Sequence, residues 1–213
     1  MSAKVKICGL TTPEAVEAAA AADALGFVFV GASPRAVTPA AAAPLIARAR
    51  ARRPGVLPVG VFQDADDALL EAAVAAGIGA IQLHGQEGPA RLAEVRARFG
   101  LPVWKAAGVR SAADIRALAR DFAHADALLL DARAPEGAAI AGGHGLAFDW
   151  RILAGARPAI PWILAGGLAP ETVAEAIRVT GATFVDVSSG VEEAPGVKSL
   201  AKIAAFLREA GRG

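Results

Sequence analysis

Short runs rich in apolar and β-branched residues recur along the chain. They read VKIC near residue 5, LGFVFV near 27, LPVGVF near 59, AIQLH near 82, PVWKA near 104, ALLLD near 129, PWILA near 163 and TFVDV near 185. Gly, Pro or polar residues bound each run, which is the pattern of short strands. Alanine-rich segments with charges at helical spacing lie between them, as in TPEAVEAAAAA, DDALLEAAVAA and PETVAEAIRV. The runs are nearly continuous rather than alternating, as expected of parallel strands covered by helices on both faces. Dividing 213 residues by the strand count allots roughly 27 residues to each strand and helix, near the lower limit for a closed eight-unit barrel. A doubly wound sheet usually places a Gly-rich fingerprint after its first strand, where this chain has only Cys8, Gly9 and Leu10. The pattern therefore predicts an α/β chain folded as a single (β/α)8 TIM barrel, one catalytic domain over residues 1–213. Thr12 before Pro13, Thr38 before Pro39, and Asp64 before Asp66 and Asp67 are the expected helix caps.

Charge and composition narrow the partners. Lys plus Arg number 22 against 21 Asp plus Glu, a formal net charge of +1. That balance supplies no basic stripe for nucleic acid, so a small-molecule substrate is expected. A lone cysteine cannot form an intramolecular disulfide, and no signal-peptide pattern opens the chain, so the expected compartment is the cytoplasm. Gly and Pro interrupt the apolar stretches short of the roughly 18 residues that span a membrane. Exposed barrel helices do not announce an assembly state, and monomer and homodimer both stay open.

Polar residues at the C-terminal ends of barrel strands are the candidates for chemistry. Cys8 shares a strand face with Lys6, and a nearby ammonium group would favour the thiolate and give a base or nucleophile; the alternative is a packed small hydrophobe. Asp131 follows three leucines, where partial desolvation would raise its pKa and suit a proton donor; a loop-capping aspartate is the alternative. Asp186 shares its face with Phe184 and Ser188 and is a weaker candidate for hydroxyl contact or loop support. Gly166 and Gly167 follow the seventh predicted strand, and Ser188, Ser189 and Gly190 follow the eighth. Exposed backbone N–H groups at those two adjacent ends favour phosphate binding over plain turns. Arg35, after Pro34, offers a planar fork for a carboxylate, or a solvated surface arginine. Gln82 and His84 share a face and can bond a ligand or one another. The three histidines, His84, His124 and His144, show no metal-ligand spacing, so no metal site is expected.

Taken together, KICGLTTPEA, GFVFVGASPRAVTP, GVFQDA, IQLHGQE, LLLDA, GGHGLAFDW, ILAGGLAPETVAEAI and VDVSSGVEEAPGVKS resemble the phosphoribosylanthranilate isomerases across nearly the whole chain. Phosphosugar isomerases of histidine synthesis are similar in fold and phosphate loops but carry aspartate where Cys8 stands. The resemblance implies a cofactor-free Amadori rearrangement of N-(5-phosphoribosyl)anthranilate to 1-(2-carboxyphenylamino)-1-deoxyribulose 5-phosphate in tryptophan biosynthesis. It also implies Asp131 as general acid, Cys8 as general base, Arg35 on the anthranilate carboxylate, and Gly166, Gly167, Ser189 and Gly190 at phosphate. His84 and Asp186 match recurrent family positions in the substrate site. Two alternatives remain: another phosphosugar isomerase or epimerase on the same barrel, and a non-catalytic binder of phosphoribosyl ligands.

One departure stands in the longest connection, Ala132 to Ala147, where His144 replaces the hydroxyl residue usual after the two glycines of this family. If that hydroxyl helps close the loop on phosphate, a histidine that titrates near neutrality changes affinity or its pH dependence. His144→Thr is then expected to alter the Michaelis constant or its pH profile in steady-state assays; no change in either overturns the idea.

Overall fold

The computed structural model describes residues 3–132, 150, 153 and 156–211. Eight parallel strands close into a barrel in chain order: β1 (Lys4–Cys8), β2 (Ala24–Val28), β3 (Leu57–Phe62), β4 (Ala80–Leu83), β5 (Val103–Val109), β6 (Ala127–Ala132), β7 (Trp162–Ala165) and β8 (Phe184–Val187). Lys6 stands opposite Ala24 of β2 on one side and Asp186 of β8 on the other, so β1 and β8 make the closing seam. The helices among the described residues are α1 (Pro13–Ala18), α2 (Pro39–Arg52), α3 (Asp67–Ala75), α4 (Pro89–Phe99), α5 (Ala112–Asp121), α6 (Val173–Thr180) and α7 (Leu200–Glu209). None is long and apolar enough to cross a membrane. An antiparallel hairpin, β9 (Glu192–Ala194) with β10 (Val197–Lys198), follows β8 and was not expected from the pattern.

Local chemistry explains the helix starts. Thr12 and Thr38 accept hydrogen bonds from Ala15 N and Ala41 N, each at 3.2 Å, and proline occupies the first turn of both helices. The third expected cap is corrected. Asp66, not Asp64, caps α3 by accepting from Leu69 N at 2.9 Å. Asp64 has a positive φ of 48° and accepts from Gln86 N at 2.7 Å, while its own N–H donates to Glu87 Oε1 at 2.8 Å. Its carboxylate thus ties the loop after β3 to the loop after β4. Both loops reach the barrel mouth.

Two cores result from the barrel's two faces. Outward residues such as Val5, Ile7, Leu25, Phe27 and Leu83 pack under the helices. Inward residues are small, Ala24, Ala80, Ala106, Ala127 and Ala165, with Val59, Leu129 and Ile163 between them. Trp104 fills the volume these alanines leave and meets Phe184 edge-on at 5.9 Å. Cys8, Val28 and Val61 form a separate cluster above this floor. The predicted His144 and its glycines lie outside the described residues. Because one indole replaces several side chains, Trp104→Ala leaves a large void. The expected loss is about 3–5 kcal/mol of stability, read from urea denaturation; a loss under about 1 kcal/mol would show that the alanine shell collapses around the gap.

Candidate active site

The strand C-termini surround a cavity of about 400 Å³ lined by Cys8, Arg35, Gln82, His84, Asp131, Gly166, Gly167, Asp186 and Ser189, with Val28, Val61, Leu129 and Val187 as apolar wall. Its size suits a small organic ligand. Among the described candidates for catalysis, substrate and phosphate, Gly190 does not line this cavity. A Cβ on Gly190 would come within 1.9 Å of Leu168 O, so its lack of a side chain lets the loop after β8 lie against the loop after β7. Both phosphate-loop candidates are thereby adjacent. Gly166 and Gly167 have φ of 88° and 64°, which only glycine adopts without strain.

Cys8 is buried at the end of β1. Lys6, two residues earlier, is fully buried inside the barrel, and its Nζ donates to Asp186 Oδ1 at 2.8 Å. Burial pushes Lys6 down, but Asp186 and the Cys8 thiol outweigh it and keep the ammonium charged. The expected neighbourhood of thiol and ammonium is present, and Lys6 acts on the Cys8 thiol as a nearby cation. The expected direction of the thiol's pKa is not. Burial raises it, and the nearby Asp186 adds to the rise; Lys6 and Lys198 pull it down without winning. Gly26 on β2 makes room for this group, since a Cβ there would sit 2.7 Å from Cys8 Sγ and 3.1 Å from Lys6 Cε.

Asp131 faces the same cavity from β6, three strand steps from β1 by way of β8 and β7. His84 Nε2 lies 4.0 Å from Asp131 Oδ2, and His84 Nδ1 lies 3.5 Å from Gln82 Nε2. Gln82 on β4 and His84 just after it therefore bond to one another, and the imidazole lies beside the carboxyl. Which ring nitrogen carries the proton follows from the amide's orientation.

Arg35 reaches the cavity from the loop after β2, its backbone N–H bonded to Ser33 Oγ at 3.1 Å. The stem lies on the Cys8–Gly9 turn, for a Cβ on Gly9 would meet Arg35 Cδ at 2.6 Å. Its fork is already engaged. Nε and Nη2 donate to Glu192 Oε1 and Oε2, both at 2.7 Å. Lys198 Nζ donates to Glu192 Oε1 at 2.8 Å and to Ser188 O at 2.8 Å. Ser188 Oγ in turn donates to Cys8 O at 3.2 Å. Burial pushes the Glu192 carboxyl up, yet Arg35 and Lys198 outweigh it and hold it below the usual carboxylate range. Lys198 is pushed down by burial. Sequence reasoning missed Glu192 and Lys198. The available signal was the Pro195–Gly196 turn between two short extended stretches.

A carboxyl group, a thiol, a guanidinium and a glycine-rich double loop thus surround one small cavity at a barrel's C-terminal face. A family profile described as N-(5'phosphoribosyl)anthranilate (PRA) isomerase matches residues 5–209. The N-(5'-phosphoribosyl)anthranilate isomerase of Paracoccus denitrificans is 54% identical, covering 99% of this chain and 98% of that protein. That of Cereibacter sphaeroides is 52% identical over 97% of this chain and 98% of its own length. The crystal structure of phosphoribosyl anthranilate isomerase from Thermotoga maritima superposes with a TM-score of 0.85 at 35% identity, covering 98% of each chain. A phosphoribosyl anthranilate isomerase in complex with reduced 1-(o-carboxyphenylamino)-1-deoxyribulose 5-phosphate gives 0.83 at 33%, again over 98% of each. The chain belongs to the N-(5'-phosphoribosyl)anthranilate isomerase family.

Proposed function

We propose that Asp131 and Cys8 divide between them the proton transfers by which this chain isomerises N-(5'-phosphoribosyl)anthranilate in tryptophan biosynthesis. The observation that supports this division is their placement: both line one cavity, from β6 and from β1. Asp131 gives a proton to the furanose ring oxygen as the bond from that oxygen to C1′ breaks. The anilino nitrogen supplies the electron pair and becomes a cationic imine. The Cys8 thiolate then takes the C2′ proton, and the released pair forms the C1′–C2′ double bond and neutralises the nitrogen. The enolamine loses its hydroxyl proton, gains one at C1′ and becomes the ketone. Atoms balance without a second reactant.

Protonation states make Lys6 necessary. The productive enzyme carries a proton on the carboxyl and none on the thiol, the reverse of their ordinary acidities. Burial makes the thiolate scarcer still, and the Lys6 ammonium counters it. The cationic imine adds a further positive charge when the base is needed. His84 beside Asp131 orients the acid. Arg35 takes the aryl carboxylate, and Gly166, Gly167 and Ser189 take phosphate through backbone N–H groups, while Gly190 keeps the two phosphate loops together. Holding both charged ends leaves the reacting carbons between acid and base.

The assay follows the fluorescence decay of phosphoribosylanthranilate. Cys8→Ser and Asp131→Asn are each expected to lose about a hundredfold to ten-thousandfold in kcat, with far smaller changes in ligand affinity. Equal decay in wild type and both variants rejects the assignment, and decay by neither variant nor wild type favours a binder of phosphoribosyl ligands.

Because Cys8 is the chain's one cysteine, its titration is read directly from thiolate ultraviolet absorbance. The raised pKa places the absorbance step at higher pH than for an ordinary free thiol, and Lys6→Met moves it higher again. The rising limb of kcat/KM against pH shifts the same way. A step at or below the ordinary thiol value, or one unmoved in Lys6→Met, contradicts this electrostatic account.

A further inference from the structure

Arginine is a long side chain with considerable rotamer freedom, and an unanchored one must be ordered when its ligand arrives. Arg35 is anchored in advance. Glu192 takes its Nε and Nη2 protons in a two-point grip at 2.7 Å and 2.7 Å. That grip fixes the guanidinium plane and leaves the Nη1 group and the second Nη2 proton as the available edge. Glu192 is itself held: Lys198 donates to Oε1 at 2.8 Å, Gly196 N donates to Oε2 at 3.3 Å, and Lys202 donates to the Glu192 backbone carbonyl at 2.7 Å. The Glu192 side chain is 5% exposed and that of Lys198 1% exposed, so neither is a loosely solvated ion. Arg35, Glu192 and Lys198 together carry one net positive charge, which suits an anionic ligand after the Glu192 carboxylate has been counted.

We infer that Glu192 is a positioning residue for substrate selection, aiming the free edge of Arg35 so that the site prefers a ligand with a planar carboxylate on its aromatic ring. The inference rests on the proposed role of Arg35 and assigns Glu192 no contact with substrate. Its effect is preorganisation: the fork is ordered before binding, so the carboxylate meets a fixed pair of donors. The opposite consequence of the same contacts would be competition, in which Glu192 occupies a cation that the substrate would otherwise have to itself.

Two ligands separate these outcomes: reduced 1-(o-carboxyphenylamino)-1-deoxyribulose 5-phosphate, and the same compound with hydrogen in place of the aryl carboxylate. Their dissociation constants are measured by calorimetry with wild type, Arg35→Met, Glu192→Asp, Glu192→Gln and the double variant Arg35→Met/Glu192→Gln. Glu192→Asp keeps the charge beside Lys198 but is one methylene too short for the two-point grip; Glu192→Gln keeps the length and loses the charge. Positioning predicts that both Glu192 variants bind the carboxylated ligand about tenfold more weakly and leave the other ligand unchanged. The double variant is then no worse than Arg35→Met. Tighter binding of the carboxylated ligand by either Glu192 variant makes Glu192 a competitor and overturns the inference. So does an equal loss for both ligands, or failure of both variants to fold, which would make the residue a support of the hairpin alone. If Arg35→Met itself fails to distinguish the ligands, the reading of Arg35 falls and this inference falls with it. If Arg35→Met distinguishes them and the Glu192 variants do not, only the inference falls.

Discussion

The rest of the site depends on an ammonium ion held inside the barrel. Lys6 is fully buried, and the partner that keeps it charged is Asp186, opposite it in the register of β1 and β8. Those strands form the seam at which the barrel closes. Closure and charge neutralisation are therefore the same event: without β8 alongside, Lys6 would be an uncompensated ion in an apolar interior. A slip of one residue along the seam would turn Asp186 to the helix layer. The pair thus helps specify the register that places Ser188 under the Cys8 carbonyl. Such a pair gains little stability over apolar side chains of the same volume. Its presence here is explained by what it does to the neighbouring sulfur.

A second ionic unit joins Arg35, Glu192 and Lys198. The hairpin β9–β10 carries Glu192 and Lys198, which bond at once to the loop after β2 and the loop after β8. Gly196 lets the hairpin sit tightly there, since a Cβ would meet Pro34 O at 2.3 Å. The loop presenting Arg35 and the loop bearing Ser188 and Ser189 are consequently fixed relative to each other. They are the loops assigned to opposite ends of the substrate. A displacement of the hairpin would alter the distance between the loop presenting Arg35 and the loop bearing Ser189, neither of which carries Cys8 or Asp131.

What could be read from the sequence follows from the range of the interactions involved. Eight strands were visible because each has its own short apolar run between breakers, and the closed order follows from regular alternation with helices. Cys8, Asp131, Gly166 and Gly167 could be singled out because barrel chemistry collects at strand ends, and they line one cavity. The local cap at Asp64 was misplaced by one short step: Asp66 competes for the same role, and Asp64 is taken by the backbone of the next loop. The thiol's pKa was misjudged because a strand pattern shows that Lys6 is near but cannot weigh that cation against the burial of both groups. Glu192 stayed hidden because its partner Arg35 is 157 residues away, and no spacing rule links a surface-looking EEAPGVK stretch to a loop near the N-terminus.

A protein that only bound phosphoribosyl ligands would have use for the outer ionic unit and the glycine loops, both of which address charges that the ligand already has. Of the inner one, Asp186 lines the cavity and Lys6 does not. Lys6 and Asp186 neutralise each other, and the proposed partners of the ligand's phosphate and carboxylate are other residues. What Lys6 does change is the free energy of a thiolate, a species that matters only if a proton is to be removed. Gly26 supports the same conclusion. An alanine there would cover apolar surface and stiffen β2, but it would drive into the sulfur and the lysine stem. The barrel interior forgoes both an apolar pair and a side chain on β2 to keep an ionisable sulfur next to a cation. Those concessions are intelligible as parts of a catalyst and not as parts of a receptor.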